Sequence, residues 1–383
     1  MLRAVAPPLE RSIVIAGAGV AGAALAHFLA AAGARDVLVV EREAAPARHA
    51  SGRSAEALID VELDPRWQPL VAEGARFLRS PPPGFAAAPL TRATGVMNLL
   101  DEAEEAALVA ALPALRRRAI EVELLAPDEV RRRLPWVTAT DFAVGCWLPA
   151  SGRLAAGALV EAYLGSARRG GVEIWLDTEV LEVETGAGRV AGVVTSRGPV
   201  ACRALVCAAG AWAGQLGRLA AATPIDLAAL RRTVVSFDAP AGVDARAWPL
   251  VAFDARGVYV APEGEGLLCS PMDEDPVEPC DAAPDPARIE LALERLACLC
   301  APLAPSSIRS ARAGLRTFAP DRNLVVGDDP RRPGFFWLAG QGGWGIETSA
   351  AVGRLAAELL LRGEVAAEDR QLVAGMSPAR FGR

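Results

Sequence analysis

The stretch Ser12-Ile13-Val14-Ile15-Ala16-Gly17-Ala18-Gly19-Val20-Ala21-Gly22 decides the fold of the N-terminal part of this chain. Its apolar beginning, residues 12–16, predicts a short buried strand, and residues 20–32 predict a helix. The glycines between them permit a sharp turn and a close approach of a ligand to the backbone, while the free N–H groups that begin the helix favour a phosphate. The pattern therefore predicts the first half of a βαβ unit that binds a dinucleotide.

A second strand and an acidic residue complete this unit. Residues 37–40 are an apolar run, and Glu41 follows it directly. An acidic residue at about this spacing from a Gly-x-Gly-x-x-Gly turn can hydrogen-bond a ribose hydroxyl, which favours dinucleotide binding over a turn that only packs helix against strand. The residues predicted to contact the dinucleotide here are Gly17, Gly19, Val20, Ala21, Gly22, Glu41 and Arg42.

The bulk composition narrows the class of protein. The chain has 383 residues, 52% of them hydrophobic, which suits two lobes, and its formal net charge is -6. A net negative chain offers no basic surface to DNA or RNA, so a small-molecule substrate is favoured over a nucleic acid. The apolar residues 13–34 are long enough to span a bilayer, but their glycines favour a strand, a turn and a helix. We therefore expect no transmembrane segment and a cytoplasmic location.

The cysteine pattern argues against a metal site. The seven cysteines form an odd set without a Cys-x-x-Cys pair, which is typical of reduced thiols. Cys298 and Cys300 fall within a helix-like run, where residues two apart face different directions. We expect neither a disulfide framework nor a bound metal.

The remaining sequence predicts two kinds of secondary structure, which is consistent with two lobes. Residues 233–270 are rich in strand patterns, and the acidic, proline-rich residues 271–286 predict an exposed loop. Helices are predicted at residues 102–118, 127–133, 155–169 and 346–361, and strands at residues 172–176, 180–184, 190–195, 204–207 and 335–339.

Additional glycine turns favour FAD over NAD as the dinucleotide. An NAD domain normally continues into a second mononucleotide-binding half, whereas this chain leaves that pattern after Glu41. Turns rich in small residues then occur at residues 51–55, 208–212 and 340–343, where the backbone can approach a long cofactor closely.

These turns carry a resemblance to a known family. The chain resembles the FAD-dependent D-amino acid dehydrogenase and glycine oxidase family, and is most similar to the D-arginine dehydrogenase type. The motifs are Ser51-Gly52-Arg53-Ser54-Ala55, Pro82-Pro83-Gly84-Phe85, Ala208-Ala209-Gly210-Ala211-Trp212, Ala313-Gly314-Leu315-Arg316 and Gly340-Gln341-Gly342-Gly343-Trp344-Gly345-Ile346.

The resemblance implies an α/β fold with two lobes. The first is a Rossmann-like FAD-binding lobe of the glutathione-reductase type, expected at residues 11–80, 149–218 and 311–383, and the second is a mixed-sheet α+β substrate lobe at residues 81–148 and 219–310. It adds these expected FAD contacts: Ser51, Gly52, Arg53, Ser54, Val180, Ala209, Gly210, Trp212, Gly314, Arg316, Gly340, Gln341, Gly342, Gly343, Trp344, Gly345 and Ile346.

The resemblance also implies a catalytic group. Arg316 and Arg232 would hold the substrate carboxylate, and Tyr259 would join them, because a guanidinium fork suits a carboxylate. The alternative for Arg232 is a solvated charged pair with Arg231. The implied reaction is oxidation of the amine of a small amino acid (a D-amino acid, glycine or an N-methyl amino acid) by hydride transfer to flavin N5, giving an imino acid and then a 2-oxo acid and ammonia.

Several features are left open. His49 stands where some relatives attach FAD covalently, although noncovalent binding is favoured. Oxygen or a quinone could reoxidise the flavin, and a quinone-linked enzyme could lie at the inner membrane. The alternative functions are a flavin-dependent 2-hydroxy acid oxidase or dehydrogenase and a flavin-binding protein without turnover.

The chain also departs from the arginine-preferring relatives. Val96, Ala57, Ile59 and Glu62 stand where those relatives have acidic or other polar residues. Because Val96 cannot pair with a guanidinium, we predict a smaller or more apolar substrate side chain, with Glu62 able to recover part of the polar role. Glu347 stands where a glutamine is more usual, and it can be either an exposed carboxylate in a first helical turn or a functional group.

Overall fold

The computed structural model describes residues 9–305 and 307–382, so residues 306 and 383 of the predicted lobes lie outside it. Within these residues the α-helices are α1 (Val20–Ala31), α2 (Gln68–Arg79), α3 (Glu102–Arg117), α4 (Pro127–Arg133), α5 (Ala156–Arg169), α6 (Ala213–Leu219), α7 (Pro286–Cys300), α8 (Ser349–Arg362) and α9 (Arg370–Met376). The strands are β1 (Leu9–Ala16), β2 (Val37–Val40), β3 (Ala57–Leu58), β4 (Thr91–Arg92), β5 (Val96–Leu100), β6 (Glu123–Leu125), β7 (Val144–Leu148), β8 (Gly152–Leu154), β9 (Glu173–Trp175), β10 (Val180–Gly186), β11 (Arg189–Thr195), β12 (Gly198–Cys207), β13 (Ala228–Asp238), β14 (Leu250–Phe253), β15 (Val258–Glu263), β16 (Gly266–Ser270), β17 (Asp275–Pro276), β18 (Ile308–Phe318), β19 (Val325–Asp328) and β20 (Phe335–Ala339).

A parallel core forms the centre of the first sheet. β1 pairs in parallel with β2 and β12, β2 with β9, and β12 with β20. Ile13 and Ile15 pack on one face of this sheet with α1, α5 and α8, while Val14 and Ala16 pack on the other. A parallel strand covered on both faces must be apolar throughout, and this explains the unbroken apolar run of β1. The predicted α/β fold is confirmed.

The second sheet is mainly antiparallel. It runs in the order β17-β13-β16-β15-β14-β5-β7-β6, and β18 pairs along most of β13. Helix α7 covers one face through Ala292, Leu296 and Leu299. The opposite face carries Val234 and Tyr259 and faces the candidate site. The lobe boundary predicted at residue 311 falls inside β18, which belongs to this second sheet.

Local differences from the predicted elements have identifiable causes. Helix α8 begins at Ser349 rather than 346, because residues 341–347 form successive turns. The segment 271–286 is not a simple exposed loop, since Asp273 is buried and its carboxylate accepts hydrogen bonds from the Thr233 backbone N–H (2.7 Å) and hydroxyl (2.8 Å). Composition alone cannot reveal such a partner from 40 residues away.

The described part of the chain has its cysteines as free thiols, and it contains neither a metal-binding cluster nor a membrane-spanning helix. Cys298 and Cys300 lie in α7 as predicted, with Cys298 exposed and Cys300 buried. Within residues 9–305 and 307–382, no cluster of three or more potential ligand side chains is placed to hold a metal ion. No helix in the same residues combines the length and the apolar character needed to cross a membrane.

Candidate active site

The glycine turn between β1 and α1 is packed against a second strand end. Gly17 has a φ of +115°, and its N–H donates to the Val40 carbonyl at 2.8 Å. A Cβ on Gly17 would lie 2.4 Å from the Ala208 carbonyl oxygen, and one on Gly22 would lie 2.0 Å from the Gly17 carbonyl oxygen. Both positions therefore require glycine, Gly17 for its backbone conformation and both for space.

A groove runs along this turn and through the strand ends. We call it the cofactor groove, and it is lined by Ala16, Gly17, Gly19, Val20, Ala21, Val40, Glu41, Arg42, His49, Ala50, Ser51, Arg53, Ser54, Thr178, Val180, Ala208, Ala209, Gly210, Trp212, Gly314, Leu315, Arg316, Gly340, Gln341, Gly342, Gly343, Gly345 and Ile346, among others. The structure thus brings together most of the predicted FAD contacts. Gly22, Gly52 and Trp344 lie outside the lining: Gly52 packs against the Ala47 carbonyl oxygen, and Trp344 lines the inner cavity described below.

Glu41 anchors one end of the groove. Its carboxylate accepts hydrogen bonds from the backbone N–H groups of Ala18 (2.7 Å) and Glu43 (3.0 Å), which fixes it beside the glycine turn. Nearby, the Arg42 guanidinium lies 3.8 Å from the centre of the Trp212 ring, in a cation–π contact. These two hydrogen bonds hold the acidic residue that is expected to face a ribose.

Ser51 links the second glycine turn to the first helix. Its hydroxyl accepts the backbone N–H of Val20 at 3.0 Å, which supplies the cap that Gly19, at the N-cap position of α1, lacks. Arg53, the neighbouring predicted contact, donates at 3.0 Å to each of the carbonyls of Ala282 and Ala313 and pairs with Asp281. Its guanidinium therefore connects the loop that follows β17 with strand β18, at the edge of the groove.

The turn after β20 forms the opposite wall. Gly342 has a φ of +52°, and a Cβ there would lie 2.6 Å from Phe318. The side-chain nitrogen of Gln341 is buried without a hydrogen-bond partner among the described residues. A buried amide that faces a groove without a partner is the kind of group that a polar ligand satisfies.

Strand register places the two predicted arginines on one face. Arg316 of β18 lies opposite Leu230, and Arg232 of β13 lies opposite Gly314, so the arginines are diagonal neighbours. A Cβ on Gly314 would lie 3.5 Å from the Cβ of Arg53, so this glycine packs against the second glycine turn. Sequence analysis predicted that both arginines belong to one site. The antiparallel pairing of β13 with β18 places them close together.

The two guanidinium groups have different partners. Arg232 is buried, and it donates from Nε to the Asp273 carbonyl (2.8 Å) and from Nη2 to Glu274 (3.1 Å), so it does not form the solvated pair with Arg231. Burial, and next the charge of Arg316, lower the pKa of Arg232 to about 10. Arg316 is half-buried and makes no hydrogen bond or ion pair with any described residue. Two adjacent cations favour a bound anion.

Tyr259 completes this group. It is 7% exposed, and its phenolic oxygen has no hydrogen-bond partner among residues 9–305 and 307–382. Arg232, Tyr259 and Arg316 line both the cofactor groove and a second cavity, which we call the inner cavity. The trio therefore stands where the two spaces meet.

The inner cavity is lined by many carboxylates. Glu62 and Glu347 both face it, and burial raises the pKa of Glu62 to about 7 and that of Glu347 to about 8. Glu347 is buried rather than exposed in a first helical turn, and its Oε1 accepts the Ile59 backbone N–H at 2.9 Å. Sequence reasoning missed Glu104 and Asp254, which line the same cavity. Their only signal was a capping box and a turn, neither of which indicates a site.

His49 lies in the Glu41 end of the groove. Its Nε2 is 2.8 Å from Glu43 Oε1, and its ring centre is 4.7 Å from that of Trp212. The inner cavity, where Arg232 and Arg316 lie, is lined by other residues.

The fold and the groove define a class of protein, an oxidoreductase of the FAD-binding Rossmann type. The glycine turn, the fixed Glu41 and the unpartnered Gln341 amide fit FAD along the groove. A family model described as FAD dependent oxidoreductase (DAO) matches residues 12–359, and the chain belongs to this family.

Individual relatives agree with this assignment. The chain is 28% identical to the FAD-dependent oxidoreductase domain-containing protein 1 of Bos taurus, over 93% of this chain and 82% of the relative. It is 24% identical to the mitochondrial sarcosine dehydrogenase of Homo sapiens, over 64% of this chain and 28% of the relative. Among solved structures, L-proline dehydrogenase from P. horikoshii matches with a TM-score of 0.86 at 21% identity, covering 98% of this chain and 99% of that one. Glycine oxidase from Geobacillus kaustophilus matches with a TM-score of 0.80 at 24% identity, covering 96% and 98%. At these identities the structural matches show the fold.

Proposed function

We propose that this chain oxidises the amine of a small amino acid, either a D-amino acid, glycine or an N-methyl amino acid, to an imino acid. The observation that carries the proposal is the trio of Arg232, Tyr259 and Arg316, which has unused donors at the junction of the cofactor groove and the inner cavity. The names of the sarcosine dehydrogenase and glycine oxidase relatives support a small amino acid.

The trio binds the substrate carboxylate. Arg316 offers a guanidinium fork without a competing partner, Arg232 contributes a second positive charge, and the Tyr259 hydroxyl donates to the same anion. Fixing the carboxylate orients the α-carbon, so that its C–H bond faces the groove. Ala55 and Ile346 line both spaces, and these apolar side chains help to exclude water from the junction.

The cofactor supplies the oxidation. When bound, FAD would supply the two-electron oxidant to which the α-hydrogen leaves as hydride, while the substrate nitrogen would release a proton as the C=N bond forms. Gly17, Glu41, Ser51 and Gln341 would hold the cofactor along the groove. Water then hydrolyses the imino acid to a 2-oxo acid and ammonia.

An anaerobic flavin-bleaching screen tests the proposal. The holoenzyme is mixed with D-amino acids, L-amino acids, N-methyl amino acids and 2-hydroxy acids, and the loss of flavin absorbance is followed. We expect bleaching by at least one amino acid and not by its hydroxy analogue with the same carbon skeleton. Bleaching by hydroxy acids alone would support the alternative enzyme, and no bleaching at all would indicate a flavin-binding protein without turnover.

We also propose that FAD is bound without a covalent link. The His49 ring is engaged by Glu43 and Trp212 in the Glu41 end of the groove rather than at the trio. Acid precipitation is expected to release all flavin colour into the supernatant, and colour retained in the pellet would contradict this.

The electron acceptor is identified by a separate experiment, which compares oxygen with a quinone analogue as the oxidant of the reduced enzyme.

A further inference from the structure

Three carboxylates from separate parts of the chain face the inner cavity without a salt bridge to any described residue, although the charges of Arg232 and Arg316 act on one of them, Asp254. Glu62 follows β3, Glu104 lies in the first turn of α3, and Asp254 follows β14. Glu62 accepts the Asp64 N–H at 2.9 Å, and Glu104 accepts the Asp101 N–H at 3.0 Å. Within the described residues, none of the three forms an ion pair.

This arrangement is electrostatically unfavourable without a ligand. Repulsion from Asp254 acts on both Glu62 and Glu104, in addition to the larger effect of burial, and both effects disfavour the charged carboxylates. A cation that enters the cavity would offset the repulsion. Because the described residues hold no cluster that could coordinate a metal ion, a larger organic cation fits the spacing better.

A second observation shows that the ligand of the cavity also carries an anion. Tyr259, 7% exposed, directs an unpartnered phenolic group to the same cavity, beside the unpaired guanidinium of Arg316. The lining of the cavity thus includes both cationic and anionic side chains. Ile59, Leu100 and Leu108 belong to the same lining and provide apolar surface for a carbon chain.

We propose that the amino acid substrate carries a cationic side chain, whose ammonium or guanidinium group binds among Glu62, Glu104 and Asp254. The inference rests on the proposed function, since it assumes that the trio binds an amino acid carboxylate. It narrows the proposed substrates to amino acids with a cationic side chain, which excludes glycine, and it differs from the sequence-based prediction of a smaller or more apolar side chain, which depended on Val96. That residue is 0% exposed and lies outside the lining of the inner cavity.

A binding comparison tests the proposal without turnover. α-Methylornithine and α-methylnorleucine have side chains of similar length, differ in the terminal charge, and lack the α-hydrogen needed for oxidation. Calorimetric titration of the holoenzyme with each compound, in both enantiomers, is expected to show at least about tenfold tighter binding of α-methylornithine, the effect of a charge-assisted hydrogen bond.

Matched variants assign the effect to the three carboxylates. Glu62→Gln, Glu104→Gln and Asp254→Asn each remove one charge, and the glutamine of Glu104→Gln can retain the capping contact of α3. Each variant is expected to lower the preference for α-methylornithine about tenfold, whereas Glu102→Gln, an exposed charge on the same helix, leaves it within about twofold.

The outcomes separate the two proposals. Equal binding of both compounds, or a preference unchanged in all three variants, would overturn the cationic side chain, while bleaching by neutral amino acids would leave the proposed function standing. A flavin that no amino acid bleaches would contradict the proposed function, and the titrations would still report on the cation site.

Discussion

Arg316 carries a half-buried guanidinium beside that of Arg232, with no carboxylate partner among the described residues. Most arginines in a folded chain find an acceptor, and here Arg312, on the same strand, pairs with Glu263 at 2.7 Å. The contrast within one strand supports the proposed role of Arg316 in binding the substrate carboxylate, whereas Arg312 pairs within the fold.

Replacing Arg316 by methionine tests this residue. Arg316→Met keeps the apolar stem and removes the fork, so we expect the substrate KM to rise roughly 10- to 100-fold, the effect of losing a charge-assisted hydrogen bond. Steady-state kinetics with the best amino acid from the screen measure it. Arg309→Met, on the exposed start of β18, is the control and should leave KM unchanged. Equal effects of the two changes would argue against a carboxylate site.

Glu347 makes stability depend on pH. Burial raises its pKa in the folded chain to about 8, from 4.5. Between these values the folded state binds a proton that the unfolded state releases, so the contribution of this group is full below pH 4.5 and is lost as the pH rises through 8. The loss amounts to at most about 1.4 kcal/mol per pH unit in this interval.

A glutamine at this position should remove the dependence. Glu347→Gln can retain the acceptor for the Ile59 N–H, so we expect the variant to gain stability relative to the parent at pH 8 but not at pH 5. Urea unfolding of the holoenzyme at both pH values measures the change. Glu368→Gln, an exposed carboxylate, is the control. An identical difference at the two pH values would show that Glu347 is ionised throughout.

At the scale of elements, the β1-turn-α1 unit depends on a backbone that only glycine adopts readily. Gly17→Ala would place a Cβ 2.4 Å from the Ala208 carbonyl oxygen at a φ of +115°. We expect a loss of about 1–3 kcal/mol in stability and weaker FAD retention, measured by thermal unfolding and by flavin content after gel filtration.

A second glycine provides the comparison. Gly157 lies in α5, and among the described residues no neighbouring atom lies within 4 Å of the position that a Cβ would occupy there. Gly157→Ala should therefore be neutral or stabilise the chain by about 0.5–1 kcal/mol. If both substitutions had the same effect, the turn at Gly17 would not have the structural role assigned to it.

The elements themselves were largely predictable from sequence. Strands with unbroken apolar runs, such as β2 and β20, and the helices α1 and α5 lie within a few residues of their predicted positions, because periodicity and glycine turns are local signals. The start of α8 was predicted three residues early, since Ile346 and Glu347 continue the helical pattern but belong to the turn. The buried Asp273 was missed because its partner lies on β13.

At the scale of the molecule, the candidate site is assembled from distant segments. The resemblance and the chemistry of carboxylate binding located Arg232, Tyr259 and Arg316, and strand pairing explains their proximity. Glu104 and Asp254 were not predicted, because no local pattern distinguishes a carboxylate that faces a cavity from one that faces water. Sequence therefore predicted more of the residues that line the cofactor groove than of those that line the inner cavity.

The cofactor groove contacts both sheets, which links FAD binding to global stability. Removing FAD should lower the unfolding temperature, since a ligand at 100 times its Kd stabilises the folded state by about 2.7 kcal/mol. Thermal unfolding of the holoenzyme, the apoenzyme and the reconstituted enzyme measures this. FMN, which lacks the adenosine part expected near Glu41, should restore less stability than FAD. Full restoration by FMN would contradict the extended binding mode.

The order in which the groove residues occur along the chain sets when the cofactor can be retained during biosynthesis. One wall of the groove contains Gly19, whereas the opposite wall contains Gly340–Ile346, more than 300 residues later. A nascent chain lacks that wall until residues 340–346 have emerged from the ribosome. FAD loading therefore follows translation of residue 346, and shorter nascent chains must avoid aggregation without help from the cofactor.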